Sequence, residues 1–330
     1  MKAILMTRPG EPELLQLAEL PEPSIADPGQ IKVQIKAAGV NPVDTKLRRR
    51  GVFYDGALPA VLGLDGAGVV VETGAAVNRF KVGDKVWYCH GGLGREPGNY
   101  AEYTVLDARW AAPMPKSLSF EQAAAGPLVL ITAWGALYDR GRLRSGQTVL
   151  IHAGAGGVGH VAVQLAKLRG ARVIATVGSA EKAELATQWG ADEAIDYKNE
   201  DFVAAVNDLT GGRGADLVFD TVGPEVFRRS IECTAPYGDI VTLLDIGDTP
   251  LGEARTRNLR IGFELMLLPL LRDLEDARLH QVEILEQCGR WLDQSQLRIH
   301  LSRVLPLEEA ARAHVLIEGG HTSGKLVLVP

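Results

Sequence analysis

From Thr148 to Lys167 the chain reads as a strand, a glycine turn and a helix in immediate succession. Residues 148–153 are apolar and β-branched in character, as a strand buried on both faces of a parallel sheet should be. Gly154, Gly156 and Gly159 follow as G-x-G-x-x-G, with Gly157 inside the motif. Val158, Val161, Ala162, Leu165 and Leu168 then recur at helical spacing. Glycine answers three needs here: a tight turn, close approach of a pyrophosphate to the backbone, and close packing of helix on strand. The helix N-terminus offers free N–H groups and a positive dipole end. Glycine loops are common, so the motif alone says little. The strand before it and the helix after it predict a dinucleotide site, with a glycine-rich structural turn as the plainer alternative.

The segments that follow repeat the alternation. Residues 171–176, 194–196, 215–220, 239–244 and 258–265 read as further strands. Residues 179–188 and 200–209 read as helices between them, and Pro224 suits the first turn of another. Strands alternating with helices predict an α/β fold with a parallel, doubly wound Rossmann sheet.

A site for NAD usually holds an Asp or Glu about 20 residues after the glycines, on the ribose 2′-hydroxyl. Here that stretch is Val177-Gly178-Ser179, with no carboxylate. Ser179 can donate a hydrogen bond and Lys182 can supply a positive charge. A 2′-phosphate would be accepted, so NADPH is the expected cofactor. A solvated surface lysine is the plainer reading of Lys182, and Glu181 weakens the local positive field.

At 330 residues the chain has room for about two domains. A hydrophobic share of 46% with 23% charged residues is that of a globular protein. The net charge of −6 argues against a nucleic-acid surface. The tight basic run Lys46-Leu-Arg-Arg-Arg50 reads as a solvated loop. The first residues turn polar too soon for a signal peptide, and no apolar stretch reaches the roughly 18 residues of a membrane span. Cys89, Cys233 and Cys288 suit reduced thiols, so a cytoplasmic protein is expected.

Residues 1–125 have a different grammar. Residues 30–36 alternate apolar and polar, a half-buried strand, and 69–74, 85–87 and 100–105 read as further short strands. Ser119-Phe-Glu-Gln122 has the form of a capping box. The C-terminal part predicts a long helix over 271–292, a strand at 301–305, a helix at 307–318 and a strand at 325–329.

The order of motifs resembles that of the medium-chain dehydrogenase/reductase superfamily along nearly the whole chain. Gly39-Val-Asn-Pro-Val-Asp44 sits where its zinc alcohol dehydrogenases carry Cys-Gly-x-Asp, and Gly63-Leu-Asp-Gly-Ala-Gly68 where they carry Gly-His-Glu-x-x-Gly. Gly98-Asn-Tyr-Ala-Glu-Tyr103 follows in the same order, and Ala153–Gly159 with Gln164 and Lys167, and the ending Ala310-Ala-Arg-Ala-His314 through Gly324-Lys-Leu-Val327, are similar to the zinc-independent quinone oxidoreductase (zeta-crystallin-like) branch. The resemblance implies a GroES-like catalytic domain from residues 1–125 and 267–330, around a Rossmann domain from residues 126–266.

It also implies residue roles. Asn41 and Thr132 would attend the nicotinamide end, with Leu243 and Leu244 beside it. Gly154, Gly156, Gly157 and Val158 would carry the pyrophosphate. Gly178, Ser179, Lys182 and Tyr197 would bind the 2′-phosphate, and Thr221 the adenine or ribose. Gly324 and Lys325 would close over the cofactor. Tyr197 as a cover for the sheet and Thr132 as a hydroxyl bonded to its own helix are the plainer alternatives.

A catalytic zinc needs three protein ligands. By the resemblance, the first zinc-ligand position of the family's zinc alcohol dehydrogenases is Asn41 here, a neutral amide, and their histidine position is Leu64. No zinc is expected, and Cys89 and His90 read as ordinary loop residues. Without a Lewis acid, the expected reaction is hydride transfer from NADPH to a quinone or an α,β-unsaturated carbonyl. A zinc-free alcohol dehydrogenase, an enoyl-thioester reductase and a non-catalytic NADPH-binding crystallin-like protein are the alternatives. Asn41, Asp44, Lys46 and Tyr54 are the candidate catalytic residues, with Asp65 near them; Asp44 reads more simply as a turn residue. The alternating Leu259, Ile261, Phe263 and Leu265 would make an apolar sheet edge, and a homodimer.

Overall fold

Short apolar runs separated by turns become strands at the N-terminus: β1 (Lys2–Met6), β2 (Leu15–Glu19), β3 (Gln30–Val40), then helix α1 (Pro42–Arg50), β4 (Ala60–Val61), β5 (Asp65–Thr73), β6 (Lys85–Cys89), β7 (Tyr103–Asp107) and β8 (Ala112–Pro113). The structure is a computed structural model and describes residues 1–320 and 322–330. Two helices follow, α2 (Phe120–Ala124) and α3 (Pro127–Trp134). Next come β9 (Thr148–Ile151), α4 (Gly159–Leu168), β10 (Arg172–Val177), α5 (Ala180–Gln188), β11 (Glu193–Asp196), α6 (Phe202–Leu209), β12 (Ala215–Asp220), α7 (Pro224–Ser230), β13 (Thr234–Thr242), α8 (Gly252–Thr256) and β14 (Arg260–Phe263). The chain ends with α9 (Leu268–Leu271), α10 (Glu275–Asp293), β15 (Leu301–Pro306), α11 (Ala310–Glu318) and β16 (Lys325–Val329).

These elements form two units, Met1–Leu128 with Leu267–Pro330, and Val129–Met266. In the second, the strands lie in the order β11–β10–β9–β12–β13–β14, every neighbouring pair parallel. That is the 3-2-1-4-5-6 order of the Rossmann fold, and it reverses between β9 and β12. Leu150, Ile174, Phe202, Val206, Phe227 and Ile240 pack into one buried cluster between sheet and helices. Truncating one of its phenylalanines to alanine costs about 3–5 kcal/mol.

In the first unit one sheet runs β15–β16–β3–β5–β6–β8, with β7 also on β3, and a smaller one runs β2–β1–β4. β3 continues past the expected end at residue 36. Its first half pairs with β7 and its last residues pair with β16, so Ala37–Val40 are buried on both faces and lose the alternation. A Cβ on Gly39 would lie 2.3 Å from the carbonyl oxygen of Ala124, so only glycine fits there.

Several boundaries move for local reasons. Ser119 Oγ accepts from the Gln122 N–H at 3.3 Å, and the Ser119 N–H donates to Gln122 Oε1 at 3.1 Å, the capping box the sequence shows. α6 starts at Phe202 because Asp201 accepts from the N–H groups of Val203 and Ala204. The long helix starts at Glu275, since α9 is a separate turn and Asp273 has φ +51°. β13 ends at Thr242, so Leu243 and Leu244 lie beyond the strand on which they were expected. Among the described residues, no helix is long and apolar enough to cross a membrane.

The largest correction is the run Lys46–Arg50, expected as a solvated loop. It is the body of α1, and Arg48 in it is wholly buried. Asn41 is the N-cap, Pro42 the first helical residue, and the Asn41 N–H donates to Asp44 Oδ2 at 2.8 Å. Asp44 is thus a helix-capping carboxylate, not part of a loop turn.

Candidate functional site

The glycine turn of the second unit is built by close contacts. A Cβ on Gly159 would fall 2.1 Å from Ala153 O, and one on Gly154 would fall 2.7 Å from the Ala175 Cβ. Ala153 itself has φ +51°. The Gly156 N–H donates to Ala153 O at 2.8 Å, so this glycine closes the turn instead of offering its N–H outward, contrary to expectation. The N–H groups of Gly157 and Val158 have no protein partner among the described residues. They stand at the N-terminal end of α4, where the helix dipole favours an anion.

At the carboxyl end of β10, Gly178, Ser179, Lys182 and Tyr197 come together. A Cβ on Gly178 would lie 2.7 Å from the Tyr197 hydroxyl. Ser179 caps α5, its Oγ accepting from the Lys182 N–H at 3.3 Å. Tyr197 is 53% exposed, and the Lys182 ammonium has no carboxylate partner among the described residues. Thr221 Oγ1 donates to His152 O at 2.9 Å and ties the end of β12 to that of β9. Thr132 is buried on α3.

The first unit holds a buried polar cluster at the junction of β3, α1, β5 and β16. Asn41 Nδ2 donates to Asp65 Oδ2 at 2.9 Å, and the Leu128 N–H donates to Asp65 Oδ1 at 2.8 Å. The Lys325 ammonium donates to Val40 O at 3.0 Å and to Asn41 Oδ1, and lies 3.8 Å from Asp65 Oδ2. Tyr100 donates its hydroxyl proton to Asp44 Oδ2 at 3.0 Å, and His314 Nε2 lies 3.3 Å from the Tyr100 hydroxyl oxygen. Burial pushes Asp44 up to about 7, against the lowering effects of the Asn41 N–H, Tyr100 and Lys325; the charge of Asp65 adds to the rise. Burial also raises Asp65 and lowers Lys325. The Cys89 thiol, hydrogen-bonded to Asp65, is held well above its usual range by burial.

Two of the expected catalytic residues therefore meet and two do not. Asn41 and Asp44 share a hydrogen bond, but Lys46 is exposed on α1. Tyr54 is half-buried, with its hydroxyl 3.4 Å from Leu271 O. The four do not make one acid–base group. Lys325, expected beside the cofactor, is 2% exposed, with its ammonium among oxygens of its own unit. Beside it, Gly324 has φ +68°, and a Cβ there would meet His300 O at 2.4 Å. Tyr100, His314 and Arg48 are buried polar groups that no local sequence pattern marks. Only the helix start was signalled, by the Asn-Pro-x-Asp pattern of residues 41–44.

The zinc position can be tested on donor chemistry. Leu64 is fully buried and aliphatic. Asn41 Oδ1 and Asp65 Oδ2 both face an ammonium that stands where a dication would have to go. His90 is held neutral by burial and the nearby Arg278, its pKa pushed down to about 3, and it bridges Arg278 and Glu96. Among the described residues no three His, Cys, Asp or Glu side chains converge as a metal site. These residues do not fit zinc.

Two family patterns match the chain: the alcohol dehydrogenase GroES-like domain over residues 27–116, and the zinc-binding dehydrogenase over residues 189–328. A quinone oxidoreductase of Pseudomonas aeruginosa is 36% identical over 329 residues, covering 100% of this chain and 99% of that one. A 2-haloacrylate reductase of a Burkholderia species is 33% identical over 314 residues, covering 92% of this chain and 91% of that one. The crystal structure of Escherichia coli quinone oxidoreductase complexed with NADPH matches at a TM-score of 0.89 and 32% identity, with 100% of both chains covered. The Rossmann sheet and the GroES-like unit define an enzyme of the dehydrogenase/reductase class. The chain belongs to the quinone oxidoreductase branch of the medium-chain dehydrogenase/reductase superfamily and is an oxidoreductase.

Proposed function

We propose that the chain is a zinc-independent, NADPH-dependent reductase whose acceptor is a quinone or an α,β-unsaturated carbonyl. The observation that carries this reading is the Gly178–Ser179–Lys182–Tyr197 group, an uncompensated ammonium at the capped start of α5 with no carboxylate on the preceding loop. The N–H groups of Gly157 and Val158 would hold the diphosphate, and Ser179, Lys182 and Tyr197 the 2′-phosphate. By resemblance, Asn41, Thr132, Leu243 and Leu244 attend the nicotinamide end. Bound NADPH supplies a hydride. The protein's own residues bind and orient it, and an electrophilic acceptor needs no metal to accept the hydride. The reduced acceptor, a hydroquinone anion or an enolate, can take its proton from water.

The relatives support the acceptor class. One is named for quinones and another for a 2-haloacrylate, whose C=C bond is conjugated to a carboxylate. A homodimer belongs to the same reading. β14 ends the sheet order; Leu259 and Ile261 pack on the core cluster, while Phe263 and Leu265 are exposed at 54% and 52%. That leaves an apolar edge for a second copy.

Initial rates of NADPH oxidation with 1,4-benzoquinone, cyclohexenone and cyclohexanone test the proposal. Turnover of the first or second, but not of the saturated ketone, and indifference to a strong chelator are expected. Preferential turnover of the saturated ketone, or loss of activity with the chelator, would contradict it.

A further inference from the structure

Lys325 is a lysine at 2% exposure, and lysine is almost never buried without a partner. An ammonium has three N–H donors. Here it faces three oxygens from three parts of the fold: it donates to Val40 O at the end of β3 and to Asn41 Oδ1 at the cap of α1, and it lies 3.8 Å from Asp65 Oδ2 at the start of β5 as an ion pair. The pairing of β16 on β3, with Leu326 opposite Val40, delivers the lysine to that point. Asp65 is fully buried, and its other contacts, Asn41 Nδ2, the Leu128 N–H and the Cys89 thiol, are neutral donors. Asn41 also stands at the position where the resemblance places a zinc ligand.

We propose that Lys325 is a built-in cation: its ammonium fills a three-oxygen cage in the GroES-like unit and supplies the positive charge that a metal ion would otherwise bring to Asn41 and Asp65. The cage is made of a carbonyl, an amide oxygen and a carboxylate, a hard donor set suited to an ammonium or an alkali cation and poorly suited to zinc. The ammonium answers the buried charge of Asp65 and fixes which end of the Asn41 amide faces which neighbour. Its oxygen turns to Lys325 and its nitrogen to Asp65. The unit is therefore complete without a metal, whatever substrate the enzyme reduces.

Chemical rescue of the full chain tests this directly. Lys325→Ala removes three methylenes and the ammonium, the size of n-propylammonium. The variant is expected to melt several degrees lower, and n-propylammonium should recover much of that loss. Tetramethylammonium at equal ionic strength, which has no N–H donor, should not. Equal effects of the two cations would overturn the proposal. If Lys325→Ala does not fold, Lys325→Met, Asp65→Asn and the double variant form a cycle that does not depend on it. The double variant should be more stable than Lys325→Met alone, because it removes the uncompensated charge; losses that simply add would equally overturn the built-in cation.

Discussion

The guanidinium of Arg48 meets the carboxylate of Glu318 at 2.7 Å, joining α1 to α11, with the arginine wholly buried and the glutamate side chain 17% exposed. Arg48 Nε and Nη1 have no other partner among the described residues. Removing the carboxylate would leave a buried charge alone. Glu318→Ala is therefore expected to destabilise the protein by about 3–5 kcal/mol in denaturant unfolding. Arg48→Met combined with Glu318→Leu should recover most of that loss, since neither charge is then left unpaired. A loss no larger than that of a surface pair would refute the assignment of Arg48 as buried.

Asp44 gives a pH dependence with a definite sign. Its folded-state pKa is raised from 3.8 to about 7, so the folded chain holds this proton more tightly than the unfolded one. That stabilisation is full below about pH 4 and is lost as pH rises through 7. Glu264, which burial raises to about 7, acts in the same direction. Thermal melts from pH 5 to 8 should show a decline that Asp44→Asn and Glu264→Gln each reduce. An unchanged slope in both variants would be the contrary result.

Two glycine substitutions should differ sharply. Gly159→Ala would press its Cβ 2.1 Å from a backbone oxygen and 2.8 Å from the Gly154 Cα, neither of which can swing aside. A cost of about 1–3 kcal/mol is expected, together with weaker NADPH binding by calorimetry. Gly252→Ala, on the first residue of α8 with open space around it, should be neutral or stabilising by about 0.5 kcal/mol.

The second unit was the more legible because its strands are buried on both faces. Val149, Leu150, Val173, Ile174, Val218 and Ile240 appear in the sequence as plain apolar runs, and the glycines between strand and helix mark the turn. The grouping of Gly178, Ser179 and Lys182 is also readable, since the three are close in sequence to the end of β10. What could not be read depends on distant pairs. The partner of the buried Arg48 is Glu318, 270 residues away in sequence. Lys325 points inward only because β16 pairs with β3, which brings it to Val40 and Asn41. A charged residue in a polar run reads as exposed until such a partner is placed. The sequence alone points the Gly156 N–H outward for a similar reason, because a turn that closes on itself leaves no trace in a motif of glycines.

The most direct test of the account is the preference for NADPH over NADH in kcat/KM, measured with one quinone for the parent chain and for Lys182→Ala. A preference of about tenfold or more is expected in the parent, since one charge-assisted phosphate contact contributes about 1.5–3 kcal/mol, and it should largely vanish in the variant. Equal use of both coenzymes by the parent, or an undiminished preference in Lys182→Ala, would contradict it.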